Sequence, residues 1–326
     1  MMCLFILDFV IIKSMKETRI VFMGTPDFAA HVLTKLIEND YNIVGVVTQQ
    51  DKKVGRKQIL TPPPVKVVAK NYNIPVFQPY RIRKEFDDIL KLEPELIITC
   101  AYGQIIPKEL LDYPKHKCIN THASLLPKYR GGAPIQWSII NGEKETGISI
   151  MYMNEKMDEG DILYQKSLDI DIKDTSTSLF NRLAILACEM LIDFLPSFLS
   201  GDFKTLPQDN NLATYAYNLK KEDEFISFDD DVLTVYNHIR GLLDNPGAYG
   251  IINDKKIKFL DVDFTYDIND EPGKFLGLVD SKIAIACKNG AILVNHLQQE
   301  SKKAINAKDF YNGVGKNLEN KYFEKH

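Results

Sequence analysis

A rhythm in the first half of the chain limits its fold more than any other feature. Short apolar runs alternate with stretches of helical spacing. The runs are Arg19–Met23, Asn42–Thr48, Ile74–Gln78, Leu96–Ala101 and Cys118–His122. Between the first two, Phe28, Val32, Leu33, Leu36 and Ile37 recur at the spacing of one helix face. Further helices are expected over Val65–Asn71, Ile82–Leu92, a short stretch from Pro134 to Gly142, and Thr175–Leu199. Continuous apolar runs, rather than alternating ones, indicate strands covered on both faces. The expectation is an open, mostly parallel, Rossmann-like sheet with helices on both faces. No G-x-G-x-x-G occurs, so a dinucleotide is not inferred.

One of these runs carries polar residues where a core strand would carry Val or Ile. Cys118-Ile119-Asn120-Thr121-His122 leads into A-S-L-L-P-K-Y-R-G-G. Residues two apart on a strand share a face, which places the backbones of Asn120 and His122 roughly 6–7 Å apart. An amide donor and an imidazole could flank one small reacting group there. They could equally be a strand-end pair that satisfy each other. Cys118 shares that face but lies about 13 Å from His122 along the strand, too far for a nucleophile–base pair. Further on, Asp158-Glu159-Gly160-Asp161 is an acidic turn between strand-like segments. Spacing alone reads it as a turn in which Asp and Gly serve the backbone. Residues 49–64 read as a loop carrying Lys52, Lys53, Arg56 and Lys57 with three prolines. Such a run is either a solvated surface or an arm that grips phosphates.

The segment Cys118–Gly132 resembles the signature of the folate-dependent formyltransferases, and G-I-S-I-M-Y-M-N-E-K-M-D-E-G-D-I-L matches the same family. The resemblance implies that Asn120, His122 and Asp158 form the catalytic set. It implies that Ser124, Leu125, Leu126 and Pro127 lie against the folate, with Tyr102, Gly103, Gln104 and Ile105 as the other wall of the pterin pocket. The formyl donor so implied is 10-formyltetrahydrofolate, with no metal. The opening R-I-V-F-M-G-T-P-D-F-A-A is similar to the branch whose acceptor is the initiator methionyl-tRNA. In that branch the basic loop enters the acceptor stem, which assigns Lys52, Lys53, Arg56 and Lys57 to tRNA. Lys220 and Lys221 follow from the family's lysine-bearing junction. The chain departs from the family at Gln50, usually Pro, and at Asn245-Pro246, usually Trp-Pro. The alternatives are a formyltransferase for a small amine, such as glycinamide ribonucleotide or an amino sugar, or a folate- or RNA-binding relative without catalysis.

The 326 residues allow one large or two ordinary domains. The boundaries read as an apolar extension over 1–18, a catalytic domain over 19–207, a linker over 208–222, and an OB-like barrel over 223–326. The barrel reading rests on short strands such as Ile257–Leu260, Gly277–Val279, Ile283–Ala286 and Ile292–Leu297, after a helix over Val232–Gly241. Net charge is −4, which leaves room for a local basic patch but not for a uniformly basic surface. Five cysteines at wide spacing, with no C-x-x-C, read as reduced thiols. The apolar start lacks a basic lead and a cleavage site, and it is too short to span a bilayer. Met15 is the expected functional start. The reading is of a monomer with no membrane partner, in a bacterial cytoplasm rather than an organelle matrix, since the N-terminus lacks the Arg- and Ser-rich character of a transit peptide.

Overall fold

Strand β1 (Ile20–Gly24) is buried along its whole length, and so is Leu96–Cys100 beside it. The computed structural model describes residues 17–55 and 57–325. The extension expected over the first residues, Met15 included, and Arg56 lie outside the described residues. Two compact units form, and neither is one continuous stretch.

The first unit comprises the chain up to Gly132, Thr146–Leu168 and Phe180–Ala216. Its elements are β1, α1 (Asp27–Glu38), β2 (Ile43–Val47), β3 (Lys52–Val54), β4 (Ile59–Thr61), α2 (Pro64–Asn71), β5 (Val76–Phe77), α3 (Asp87–Leu90), β6 (Leu96–Cys100), α4 (Lys108–Asp112) and β7 (Cys118–His122). The helix α5 (Pro134–Ile140) belongs to the second unit. Strand β8 (Glu145–Tyr152) and β9 (Ile162–Asp169) follow, then α6 (Ser176–Ser200). The sheet runs β5-β2-β1-β6-β7-β8-β9. Pairing is parallel from β5 through β7, and β8 joins antiparallel. The chain builds outward from β1 in one direction, then returns to build the other half from β6. Open sheets hold ligands at such a reversal, beyond the carboxyl ends of the strands. The loops after β1 and β6 meet there, where the Thr25 hydroxyl and the Gln49 amide both donate to the Tyr102 carbonyl at 3.0 and 2.9 Å.

Two expectations change in detail. The helix expected over Ile82–Leu92 contracts to α3, preceded by a separate turn in which the Lys84 and Glu85 N–H groups donate to the Arg81 carbonyl, while Gln104 Oε1 accepts the Ile82 N–H at 2.9 Å. Residues 49–64 contain a small antiparallel hairpin, β3 with β4, pairing Lys53 with Leu60. Three-residue strands are too short for alternation to register. Helix α6 is apolar and long enough to cross a membrane by composition, yet just over half of its apolar window is buried inside the protein. Its start is capped reciprocally by Thr175 and Ser178, and Gly201 follows its end with φ +82°.

The second unit comprises Ala133–Glu145, Asp169–Leu179 and the chain from Tyr217. Helix α7 (Val232–Leu242) packs on α5, where Gly241 allows close approach: a Cβ there would lie 2.7 Å from Ile140. Strands β10 (Ala248–Ile252), β11 (Lys255–Thr265), β12 (Phe275–Val279), β13 (Lys282–Cys287) and β14 (Gly290–Gln299) make an antiparallel sheet in the order β10-β11-β14-β13-β12. The C-terminal segment links its two edges. Phe323 N–H donates to Gly273 beside β12, Glu324 N–H donates to Ile251 on β10, and the Phe323 ring is buried. Those backbone bonds cover part of each edge of the sheet.

Candidate active site

In-register pairing of β6 with β7 sets Thr99 beside Asn120. The buried Thr99 hydroxyl donates to Asn120 Oδ1 at 2.8 Å. Asn120 Nδ2 lies 3.5 Å from Asp158 Oδ1. A carboxylate only accepts, so the amide's NH₂ must face Asp158 and its oxygen must face Thr99. Thr99 was not legible as a site residue, because its partner is 21 residues away.

His122 is buried on the same face of β7. Its Nε2 lies 2.9 Å from the Tyr129 carbonyl, which can only accept, so Nε2 carries the proton. The nitrogen left to exchange a proton is Nδ1, 3.7 Å from Asp158 Oδ2. Tyr129 holds its carbonyl there from a left-handed backbone, φ +60°.

Asp158 is also left-handed, at φ +49°, a conformation that Asp tolerates better than most residues. Its Oδ2 accepts the Gly131 N–H at 2.8 Å. Gly131 must be glycine, since its φ is +121° and a Cβ would meet the Ala216 carbonyl at 2.7 Å. The acidic turn is equally tight: a Cβ on Gly160 would lie 1.9 Å from the Tyr152 carbonyl. Asn120, His122 and Asp158 therefore converge, although the third comes from the turn between β8 and β9. The arrangement offers a neutral donor, a proton-exchanging nitrogen and a carboxylate around one small space.

The remaining candidates are placed as follows. Ser124 is wholly buried and its hydroxyl donates to the Lys128 carbonyl at 2.7 Å. Leu126 packs with Met151 and Ile162, while Leu125 and Pro127 are half-buried. The loop's backbone is pinned by Ser149, whose Oγ accepts from Leu126 N–H at 3.1 Å, and by Gln165, which donates to the Leu126 carbonyl at 2.8 Å. Tyr102 lies in the core, its hydroxyl without a hydrogen-bond partner among the described residues, Gly103 turns at φ +85°, and Ile105 is exposed. Gln104 is tied to Ile82. Lys52, Lys53 and Lys57 are exposed on the hairpin, together with Val54, Ile59 and Leu60. Lys220 and Lys221 are exposed in the second unit. Lys66 braces the hairpin's base, donating to Asp51 at 2.7 Å and holding its carboxyl below the ordinary range. Cys118 is buried and its thiol is pushed well up by desolvation, unsuited to a nucleophile. Among the described residues no three of His, Cys, Asp and Glu gather as metal ligands would.

Thr99 supplies a direct check on this geometry. Thr99→Val keeps the volume but removes the donor to Asn120, and one such bond is worth about 0.5–1.5 kcal/mol. Turnover at this site should slow about threefold to tenfold, with Thr99→Ser close to wild type. Equal rates for Val and Ser would remove Thr99 from the site.

The open sheet, with an amide, an imidazole and a carboxylate converging at its carboxyl edge, has the arrangement of a group-transfer enzyme. Residues 18–195 match the family model described as formyl transferase, and residues 218–315 match the formyl transferase C-terminal domain. The methionyl-tRNA formyltransferase of Halalkalibacterium halodurans is 48% identical over 304 residues, covering 92% of this chain and 96% of that protein. That of Bacillus subtilis is 45% identical over 301 residues, covering 91% and 95%. The chain belongs to the formyl transferase family. Among solved structures, HypX from Aquifex aeolicus in complex with tetrahydrofolic acid has a TM-score of 0.62 at 20% identity, covering 91% of this chain and 47% of that one. An N-formyltransferase from Helicobacter canadensis has a TM-score of 0.66 at 18% identity, covering 85% and 98%. These two likenesses speak for the fold alone.

Proposed function

We infer that this chain transfers the formyl group of 10-formyltetrahydrofolate to the free amino group of methionyl initiator tRNA. The carrying observation is the convergence of Asn120, His122 and Asp158, in a chain 48% identical to a methionyl-tRNA formyltransferase along nearly all of that protein's length. The bound donor supplies an activated formyl group. Asn120 donates a hydrogen bond to the carbonyl oxygen as it gains charge. His122 Nδ1, with Asp158 beside it, takes the proton that the attacking amine must lose and returns it to the folate nitrogen as the bond from that nitrogen to the formyl carbon breaks. The Ser124–Pro127 loop and the Tyr102–Ile105 loop wall the folate.

Lys52, Lys53, Arg56 and Lys57, with Lys220 and Lys221, contact the tRNA backbone. Exposed lysines on a short hairpin, beside exposed Val54, Ile59 and Leu60, suit a groove lined by phosphate and sugar. The protein acts as a monomer in the bacterial cytoplasm, and light scattering reads its mass directly.

One assay tests the assignment. The purified enzyme is offered 10-formyltetrahydrofolate with methionyl initiator tRNA, with glycinamide ribonucleotide, or with an amino sugar. Formylated methionyl-tRNA is expected, and product from a small amine alone would overturn the reading. Replacing Lys52, Lys53 and Lys57 by Ala should weaken tRNA use most at low salt. The slope of log kcat/KM against log salt should become shallower by about two to three, with donor binding unchanged. An unchanged slope would remove the hairpin from the tRNA interface.

A further inference from the structure

Residues 208–216 read as linker in the sequence, but the structure binds them tightly into the first unit. Thr214 accepts the Arg130 N–H through its carbonyl and the Tyr129 N–H through its hydroxyl, both at 2.9 Å, and Ala216 N–H donates to the Arg130 carbonyl at 2.8 Å. Gln208 sits at the start of this segment. Its Nε2 donates to the Asp158 carbonyl at 2.8 Å and to the Gly160 carbonyl at 2.7 Å. Its Oε1 accepts from Arg130 Nε at 3.0 Å and Nη2 at 2.7 Å. A guanidinium only donates and a carbonyl only accepts, so no other orientation of this amide satisfies all four bonds.

We propose that Gln208, locked by the buried Arg130, is the positioning residue that holds the Asp158 turn in its working conformation. The proposal rests on the reading of Asp158 as part of the active site. Asp158 stands in the left-handed region, where a residue persists only when its surroundings over-determine it. Two grips come from adjacent residues. The Gly131 amide holds the carboxylate, and Arg130, through Gln208, holds the backbone on either side of Glu159. Arg130 is 1% exposed, and its Nη2 also donates to Asn210 Oδ1 at 2.8 Å, so the anchor itself is fixed. Asp158 must meet both Asn120 and His122, and a shift of about 1 Å at such a group can cost roughly a hundredfold in rate.

A plainer role for Gln208 is to satisfy a buried arginine and nothing more. Gln208→Glu separates the two. The carboxylate still accepts from Arg130, but it turns oxygen, not N–H, toward the carbonyls of Asp158 and Gly160. The proposal expects kcat with methionyl-tRNA to fall about tenfold to a hundredfold. KM for both substrates should stay within about twofold. Gln208→Leu, which removes every bond, should lose kcat at least as far. Each variant is assayed below its own thermal midpoint, and if Gln208→Glu does not fold, Gln208→Leu or Gln208→Met is judged by the same split. A folded Gln208→Glu enzyme with wild-type kcat overturns the proposal, as does any folded variant whose loss lies wholly in KM. Asp158→Asn is measured alongside. If it turns over normally, the site reading falls and this proposal with it; if it is inactive while Gln208→Glu is normal, only the clamp is wrong.

Discussion

Asp158→Asn should fold normally and transfer formyl groups about a hundredfold to ten-thousandfold more slowly than wild type, the range expected for losing a positioned acid–base partner. The new amide must keep an oxygen toward the Gly131 N–H, because that donor is fixed by the backbone. Its NH₂ then faces the NH₂ of Asn120, where Asp158 Oδ1 had accepted. One substitution thus removes the carboxylate beside His122 and turns the Asn120 amide away from its place. The loss should appear in kcat, since the Asp158 carboxylate faces Asn120, His122 and the Gly131 N–H. Single-turnover kinetics on the purified variant check this, and a rate near wild type would dismiss Asp158.

Asn120→Ala should reduce kcat about a hundredfold to a thousandfold, equivalent to roughly 2.7–4 kcal/mol for an oxyanion donor. The fold should tolerate it. Thr99 loses its acceptor but still has the Ile119 carbonyl 3.2 Å away, so no buried hydroxyl is stranded. A thermal melt within a few degrees of wild type, beside the lost turnover, would locate the effect in the chemistry. Wild-type turnover in a folded Asn120→Ala enzyme would contradict the oxyanion role.

Much of this architecture was visible before any coordinates. The uninterrupted apolar runs of β1 and β6 correspond to strands with no exposed face, which only a sheet covered on both sides provides. Asn120 and His122 share a face because strand geometry alternates side chains, whatever else the chain does. The resemblance carried Asp158 into the set, where spacing alone had offered only a turn. The C-terminal strands were legible as short apolar stretches, but not the segment around Phe323 that covers part of each edge of their sheet. It carries no strand pattern of its own, and its partners lie far upstream.

What the sequence determined by itself was local: strand and helix periods, and two polar side chains facing one way. Only the tertiary structure decided which distant groups meet. Asp158 reaches Asn120 across 38 residues, and Gln208 reaches Asp158 across 50. Such contacts leave no periodic trace, because a hydrogen bond between remote residues requires only that packing bring donor and acceptor within about 3 Å.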